Sequence, residues 1–165
     1  MGQETDLLAK FYEAFGRRDG DAMAECYADD VRFSDPVFPD LEGDHARAMW
    51  KMLCGRAKDL TITASDIAWD GKTGSATWVA HYTFAATGKK VENHIRATFA
   101  IEGGKIVRHD DVFDFWRWSR QALGVPGILL GWSSFLQNKV RKQAAQSLRD
   151  YEAKRGGDKA KKSDG

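Results

Sequence analysis

Three side chains in this 165-residue chain have the types and spacing for proton chemistry: Asp35, His109 and Asp111. Asp35 stands directly before Pro36, and a proline biases the preceding residue towards extended backbone. Its carboxylate is therefore expected at a strand end, at the close of Tyr27-Ala-Asp-Asp-Val-Arg-Phe-Ser-Asp35-Pro-Val-Phe38. His109 and Asp111 lie two apart in a run of alternating character, so both leave one face of a strand. Phe113 shares that face and marks it as the buried side, in register with Phe99 and Tyr82 on neighbouring strands. A histidine and a carboxylate there are costly to bury unless they are paired. Paired, Asp111 either favours the His109 cation or orients the neutral ring as a base. The chemistry within reach is acid/base work: isomerisation, dehydration, cyclisation or hydrolysis. Beside it stands a plainer reading, in which Asp35 caps backbone amides of an Asp-Pro turn and His109 with Asp111 is a satisfied buried pair.

The elements that must position these groups follow from the hydrophobic period. Leu7, Leu8, Phe11 and Phe15 predict a first helix, capped by Thr5 or Asp6 and closed by Arg17-Arg18. Asp19 opens a short second helix carrying Met23, Cys26 and Tyr27. Asp44 caps a third, with Ala46, Met49, Trp50, Leu53, Cys54 and Ala57 on one face. From Leu60 the period becomes two, and four strands are expected near 60–69, 75–86, 91–101 and 105–115. Turns fall at Asp70-Gly71, Thr87-Gly88 and Gly103-Gly104. Trp78, Ala80, Tyr82 and Phe84 share an apolar face, as do Ile95, Ala97, Phe99 and Ile101. Val107, His109, Asp111 and Phe113 share one face of the last strand. His81, Thr83, His94 and Arg96 face outward, where a homodimer contact is expected. Helices followed by an antiparallel meander indicate an α+β fold.

Beyond Phe115 the chain outgrows such a domain. A helical turn ends at Leu123-Gly124, and Pro126 opens a long predicted helix. Its apolar stripe is Ile128, Trp132, Phe135, Leu136, Val140, Ala144, Leu148 and Tyr151. Lys139, Arg141, Lys142, Gln146 and Arg149 form the other face. The expected organisation is a domain over residues 1–115, a helical extension packed on it over 116–154, and a disordered tail over 155–165.

Hydrophobic residues at 42% and aromatics at 12% fit one globular domain with a substantial core. A net charge of +1 excludes broad electrostatic binding to nucleic acid. Cys26 and Cys54 have neither metal-type spacing nor a disulfide framework. A metal site would need Asp35, His109 and Asp111 to converge with further ligands, so no metal and no cofactor are expected. The N-terminus lacks a secretory pattern, Asp6 occupies the place where a myristoylation signal wants Ser or Thr, and no apolar run reaches the roughly 18 residues of a membrane span. A cytoplasmic protein without nucleic-acid or membrane partners is the expectation, although basic residues opposite Trp132 and Phe135 also suit a membrane surface.

The run from Tyr27 to Val37, read with the helix before it, resembles the opening of a ketosteroid isomerase-type domain of the nuclear transport factor 2-like, or SnoaL-like, superfamily. The resemblance covers about residues 5–115. It implies a cone-shaped α+β barrel of cystatin-like fold, a curved antiparallel sheet wrapped around a long helix with a pocket inside. It also implies that His109 and Asp111 face that pocket and that Asp35 holds the place of the proton-shuttling base. Phe11, Phe15, Trp50, Trp78, Tyr82, Phe84, Phe99 and Phe113 are the implied substrate-binding wall, for a small hydrophobic molecule. The isomerases' oxyanion donors are missing: the phenol's position is Phe11 and the protonated acid's is Ala97. Tyr12 neighbours Phe11 but is turned about 100° away on the helix. Limonene-epoxide hydrolase is also similar, with Asp111 on one of its aspartates, yet its Arg and Asp partners are Trp78 and Ala80 here. The chain keeps one acid from each family. A binding module for a hydrophobic ligand, or a structural dimer with its pocket filled by Trp50, Trp78 and Tyr82, are the alternatives to an enzyme.

Overall fold

The first two helices, α1 (Gln3–Gly16) and α2 (Gly20–Glu25), lead into strand β1 (Tyr27–Ser34) in a computed structural model that describes residues 2–163. A two-residue β2 (Leu41–Glu42) precedes α3 (Asp44–Arg56). The meander follows as β3 (Thr61–Trp69), β4 (Gly74–Phe84), β5 (Lys89–Glu102) and β6 (Lys105–Val112). Three helices close the chain: α4 (Phe115–Leu123), α5 (Val125–Leu130) and α6 (Ser134–Ser163). All six strands form one curved, unclosed sheet in the order β2-β1-β6-β5-β4-β3. Its pairings are antiparallel except between β1 and β6, which run parallel. The expected α+β cone is the fold observed.

Local chemistry accounts for most boundaries. Asp19 caps α2 by accepting from the Ala22 N–H at 3.0 Å. Thr5 and Asp6 lie inside α1, whose cap is Gly2, and Asp44 is the first residue of α3 behind a Gly43 cap. Leu8, Phe11, Tyr12 and Phe15 line the buried stripe of α1, which crosses β3 and β4, while α3 crosses β1 and β2. Two helices therefore fill the concave face. Each large side chain sealed there contributes about 1.5–3 kcal/mol.

Four expectations change. Tyr27 is the first residue of β1 and not part of α2, because the Cys26 carbonyl accepts from the Ile106 N–H and hands the chain to the sheet. On β6 a bulge at Ile106-Val107 shifts the register, so Ile106 is sealed inside and Val107 is half-exposed. The single long helix from Pro126 is broken after Leu130, where Ser133 accepts from the Leu136 N–H and starts α6 afresh. Residues 155–163 continue α6 as helix even though Gly156 and Gly157 are poor helix formers. The last two residues of the expected disordered tail lie outside the described residues.

Candidate active site

His109 and Asp111 leave the concave face of β6, opposite Phe99 and Ala97 of β5. Both are sealed from solvent, at 0% and 3% exposure. The His109 ring lies 4.3 Å from Phe99 and stacks at 5.9 Å on Trp50. Its two nitrogens are both engaged: Nδ1 is 2.7 Å from Tyr27 Oη, and Nε2 is 2.8 Å from Asp111 Oδ1. Tyr27 Oη accepts from Trp50 Nε1–H at 2.7 Å, and Trp78 Nε1–H reaches Asp111 Oδ1 at 3.4 Å. One assignment strands no hydrogen. Trp50 donates to Tyr27, Tyr27 donates to Nδ1, and the Nε2–H of a neutral His109 donates to Asp111. The carboxylate thus fixes the tautomer, and His109 Nδ1 accepts from the Tyr27 hydroxyl. Burial pushes the Tyr27 hydroxyl well above the usual phenol pKa, so it stays a proton donor.

Asp35 follows β1 in a tight turn. Its N–H donates to the Phe38 carbonyl at 2.9 Å, and its Oδ1 accepts from the N–H groups of Val37 and Phe38 at 2.7 and 2.6 Å. The capping role is real, yet it occupies only Oδ1; among the described residues Oδ2 takes no hydrogen bond. Burial raises the carboxyl pKa to about 7, and the Asp111 charge adds to the rise. The two backbone N–H groups and Arg141 oppose it. Arg141 arrives from α6, its Nε–H donating to the Pro36 carbonyl at 2.9 Å. Tyr82 feels the Asp35 charge as well, and its hydroxyl accepts from Trp118 Nε1–H of α4 at 2.7 Å. His109 and Asp111 are brought into direct contact. Asp35 shares their electrostatic field without a hydrogen bond to either.

The residues read as a substrate wall divide into two sets. Phe11, Phe15, Trp50, Trp78 and Phe99 are almost wholly buried and interlock, with Phe15 5.0 Å from Trp50 and 5.2 Å from Trp78. Tyr82, Phe84 and Phe113 are half-buried and border a second apolar cluster built by Val91, Phe115, Trp118 and Ala122. That rim is where Val37, next but one to Asp35, also packs. Among the described residues, no group of three or more His, Cys, Asp or Glu side chains is arranged to hold a metal.

Sequence reasoning missed four participants. Tyr27 was assigned to a helix, one residue from the strand that aims it. Trp118 and Arg141 act from the C-terminal helices, and no local pattern ties them to Asp35. Tyr12 was set aside as pointing away from the expected phenol site. Its hydroxyl is the one buried side-chain polar atom without a partner among the described residues, and burial with the Asp111 charge raises its pKa well above the ordinary value. A buried orphan donor beside a carboxylate is the signal that a structure reveals and a helical wheel does not.

A curved open sheet wrapped over an aromatic core is the cone fold of nuclear transport factor 2-like proteins. Residues 8–109 match the family profile of the SnoaL-like domain, and the chain belongs to that family. No curated protein matches its sequence. Among solved structures it is similar to IdmH from Streptomyces antibioticus, provisionally named a polyketide cyclase, at 24% identity and a TM-score of 0.62, covering 75% of this chain and 100% of that one. It is similar to an epoxide hydrolase from M. tuberculosis at 17% identity and a TM-score of 0.63, covering 77% and 95%. A provisionally named ketosteroid isomerase from Kribbella flavida shares 18% identity with a TM-score of 0.54, over 67% and 77%. These likenesses establish the fold.

Proposed function

We propose that this protein is an acid/base enzyme acting on a small hydrophobic molecule held at the rim of the cone, with Asp35 as the group that moves the proton. The observation that carries the reading is Asp35 itself. It sits half-buried at the strand end, and burial raises its carboxyl to about 7, near the pH where a general base and its conjugate acid are both available. Oδ1 is fixed by two backbone N–H groups, which leaves Oδ2 to take a proton from substrate and return it elsewhere. Tyr82, its oxygen already accepting from Trp118, has its O–H free to donate to a substrate oxygen that gains charge. Phe84 and Phe113 supply the apolar wall. The Tyr27–His109–Asp111 chain lies below the rim and holds the field around Asp35. Isomerisation, cyclisation, dehydration and epoxide opening all fit this set. A homodimer through the outer face of β4 and β5, near His81, Thr83, His94 and Arg96, is part of the proposal.

A second reading has its own support. Phe11 and Ala97, where the isomerases resembled carry their oxyanion donors, are both wholly buried and apolar, which suits a binding module for a hydrophobic ligand. One experiment separates the two. Ketosteroids, terpene epoxides and polyketide lactones are scored for tryptophan quenching and for turnover or solvent-deuterium exchange. For an active compound, Asp35→Asn is expected to lower turnover about 10²–10⁴-fold while binding stays within a few fold. Turnover undiminished in Asp35→Asn overturns the assignment, and binding without turnover by any compound establishes the module.

A further inference from the structure

The C-terminal helices carry a surface that the proposed site does not use. Among the described residues eight large hydrophobic side chains are exposed, and seven of them lie between Trp116 and Phe135. Val125, Ile128, Leu129, Leu130, Trp132 and Phe135 stand at 65%, 51%, 63%, 43%, 71% and 70% exposure. The surface is built. Gly127 and Gly131, four apart, press α5 onto α4 so closely that a methyl group on either would overlap Ser119. Ser119 Oγ–H donates to the Trp116 carbonyl at 2.9 Å, and Trp116 Nε1–H donates to the Ile128 carbonyl at 3.3 Å. α5 is therefore held with its leucines turned outward.

Charge tells what such a surface meets. From Phe115 to Arg149 the chain has six basic residues, Arg117, Arg120, Lys139, Arg141, Lys142 and Arg149, and no acidic one. Against a total of +1, that segment holds +6 and the remainder −5. The near-neutral total is thus an average over two oppositely charged parts. Arg117 and Arg120 line an open groove of about 470 Å³ with Trp116, Gln121 and Ile128. The Arg120 guanidinium lies 4.4 Å from the Trp116 ring centre. Arg141 is engaged with Pro36, and Arg117 is 3.9 Å from Glu92, the one acidic side chain within ion-pair reach of the two groove arginines among the described residues.

We infer that α5 and the start of α6 form a peripheral docking face for an anionic lipid surface. Leu129, Leu130, Trp132 and Phe135 enter the boundary between headgroups and acyl chains, and Arg117 and Arg120 take lipid phosphates in the groove. Apolar side chains with a tryptophan beside a basic rim are the composition of interfacial elements that lie on a bilayer and do not cross it. No helix among the described residues is long and apolar enough to span. A second copy of the chain is disfavoured as occupant, since a self-complementary contact would set the groove arginines Arg117 and Arg120 against their own copies. This inference stands apart from the reaction at Asp35.

The test is cosedimentation of the full chain with phosphatidylcholine vesicles, with and without phosphatidylglycerol. Binding to the anionic vesicles is expected, weakened by salt. The double variant Arg117→Gln/Arg120→Gln is expected to lose about thirtyfold in partition, at about fivefold per basic residue. Leu129→Asp with Trp132→Asp is expected to abolish binding, with circular dichroism unchanged because both side chains point to solvent. Absence of binding at low salt, or equal binding to neutral and anionic vesicles, overturns the inference. A dimer that Leu129→Asp dissociates, with no vesicle-bound protein, overturns it too and assigns the face to a second copy.

Discussion

The two halves of this molecule use aromatic residues in opposite ways. Between Leu8 and Phe99 the rings turn inward, and every buried polar side-chain atom there except the Tyr12 hydroxyl finds a partner. Between Val125 and Phe135 the large apolar side chains turn outward on a scaffold held by two glycines. The difference shows which part of the sequence answers to folding and which to something outside the chain. A cone of interlocked rings tolerates one polar chain at its centre only because each member satisfies the next. An outward apolar face lowers no folding free energy, so its ordered presentation points to a partner.

The comparison is broken most forcefully at the centre of the cone. His109→Ala removes the acceptor of the Tyr27 hydroxyl and the donor to Asp111 together, leaving a buried carboxylate without its principal partner. A loss of about 3–5 kcal/mol in urea denaturation is expected. A loss below about 1 kcal/mol would show that the chain of hydrogen bonds is not what holds the core.

Next in size is a pH effect at the junction of the two halves. Asp35 has its carboxyl raised from 3.8 to about 7 by burial. Between those values the folded chain keeps a proton that the unfolded chain has released. Stability contributed by Asp35 is therefore greatest below the lower value, falls as pH rises through this window, and levels off above about 7. Asp35→Asn should flatten this part of the profile in thermal melts from pH 4 to 8. A wild-type profile unchanged by that substitution would place the carboxyl in water.

The smallest effect sharpens the contrast and leaves the cone intact. Gly127→Val forces a side chain against the Ser119 carbonyl, and a cost of about 1–3 kcal/mol is expected from overpacking. Amide exchange should quicken across residues 125–131 while β5 and β6 keep their protection. Equal loosening of the sheet would show that the two halves are one cooperative unit.

Much of this was legible in the sequence where one physical signal dominated. Period-two runs placed the faces of β4 and β5, and the burial of Trp78, Ile95, Ala97 and Phe99 follows them. His109 and Asp111 were legible as a pair because two residues on a strand are bound to share a face. What was hidden depends on contacts between distant segments. Val107 was read as inward because nothing local announces the bulge that seals Ile106 in its place. Tyr27 was misplaced by one residue, which decides everything at a junction of helix and strand. The charge of Asp35 reaches Tyr82 and Arg141 only through the packing of α4 and α6. No period in the chain encodes that meeting.

The parallel seam between β1 and β6 has a consequence in time. The strands from β3 to β6 meet through short turns and close at little entropic cost, whereas Phe33 must find His109 across almost the whole domain. The meander should therefore assemble first, with β6 a bare edge until β1 docks. We expect refolding in which strand signal by far-ultraviolet circular dichroism precedes the fluorescence of Trp50; simultaneous arrival of both would refute that order. During the interval the Tyr27–His109 contact does not yet exist, and the open edge of β6 is the place where another chain can pair instead. Concentration in the cell then matters to this protein before it has a site at all.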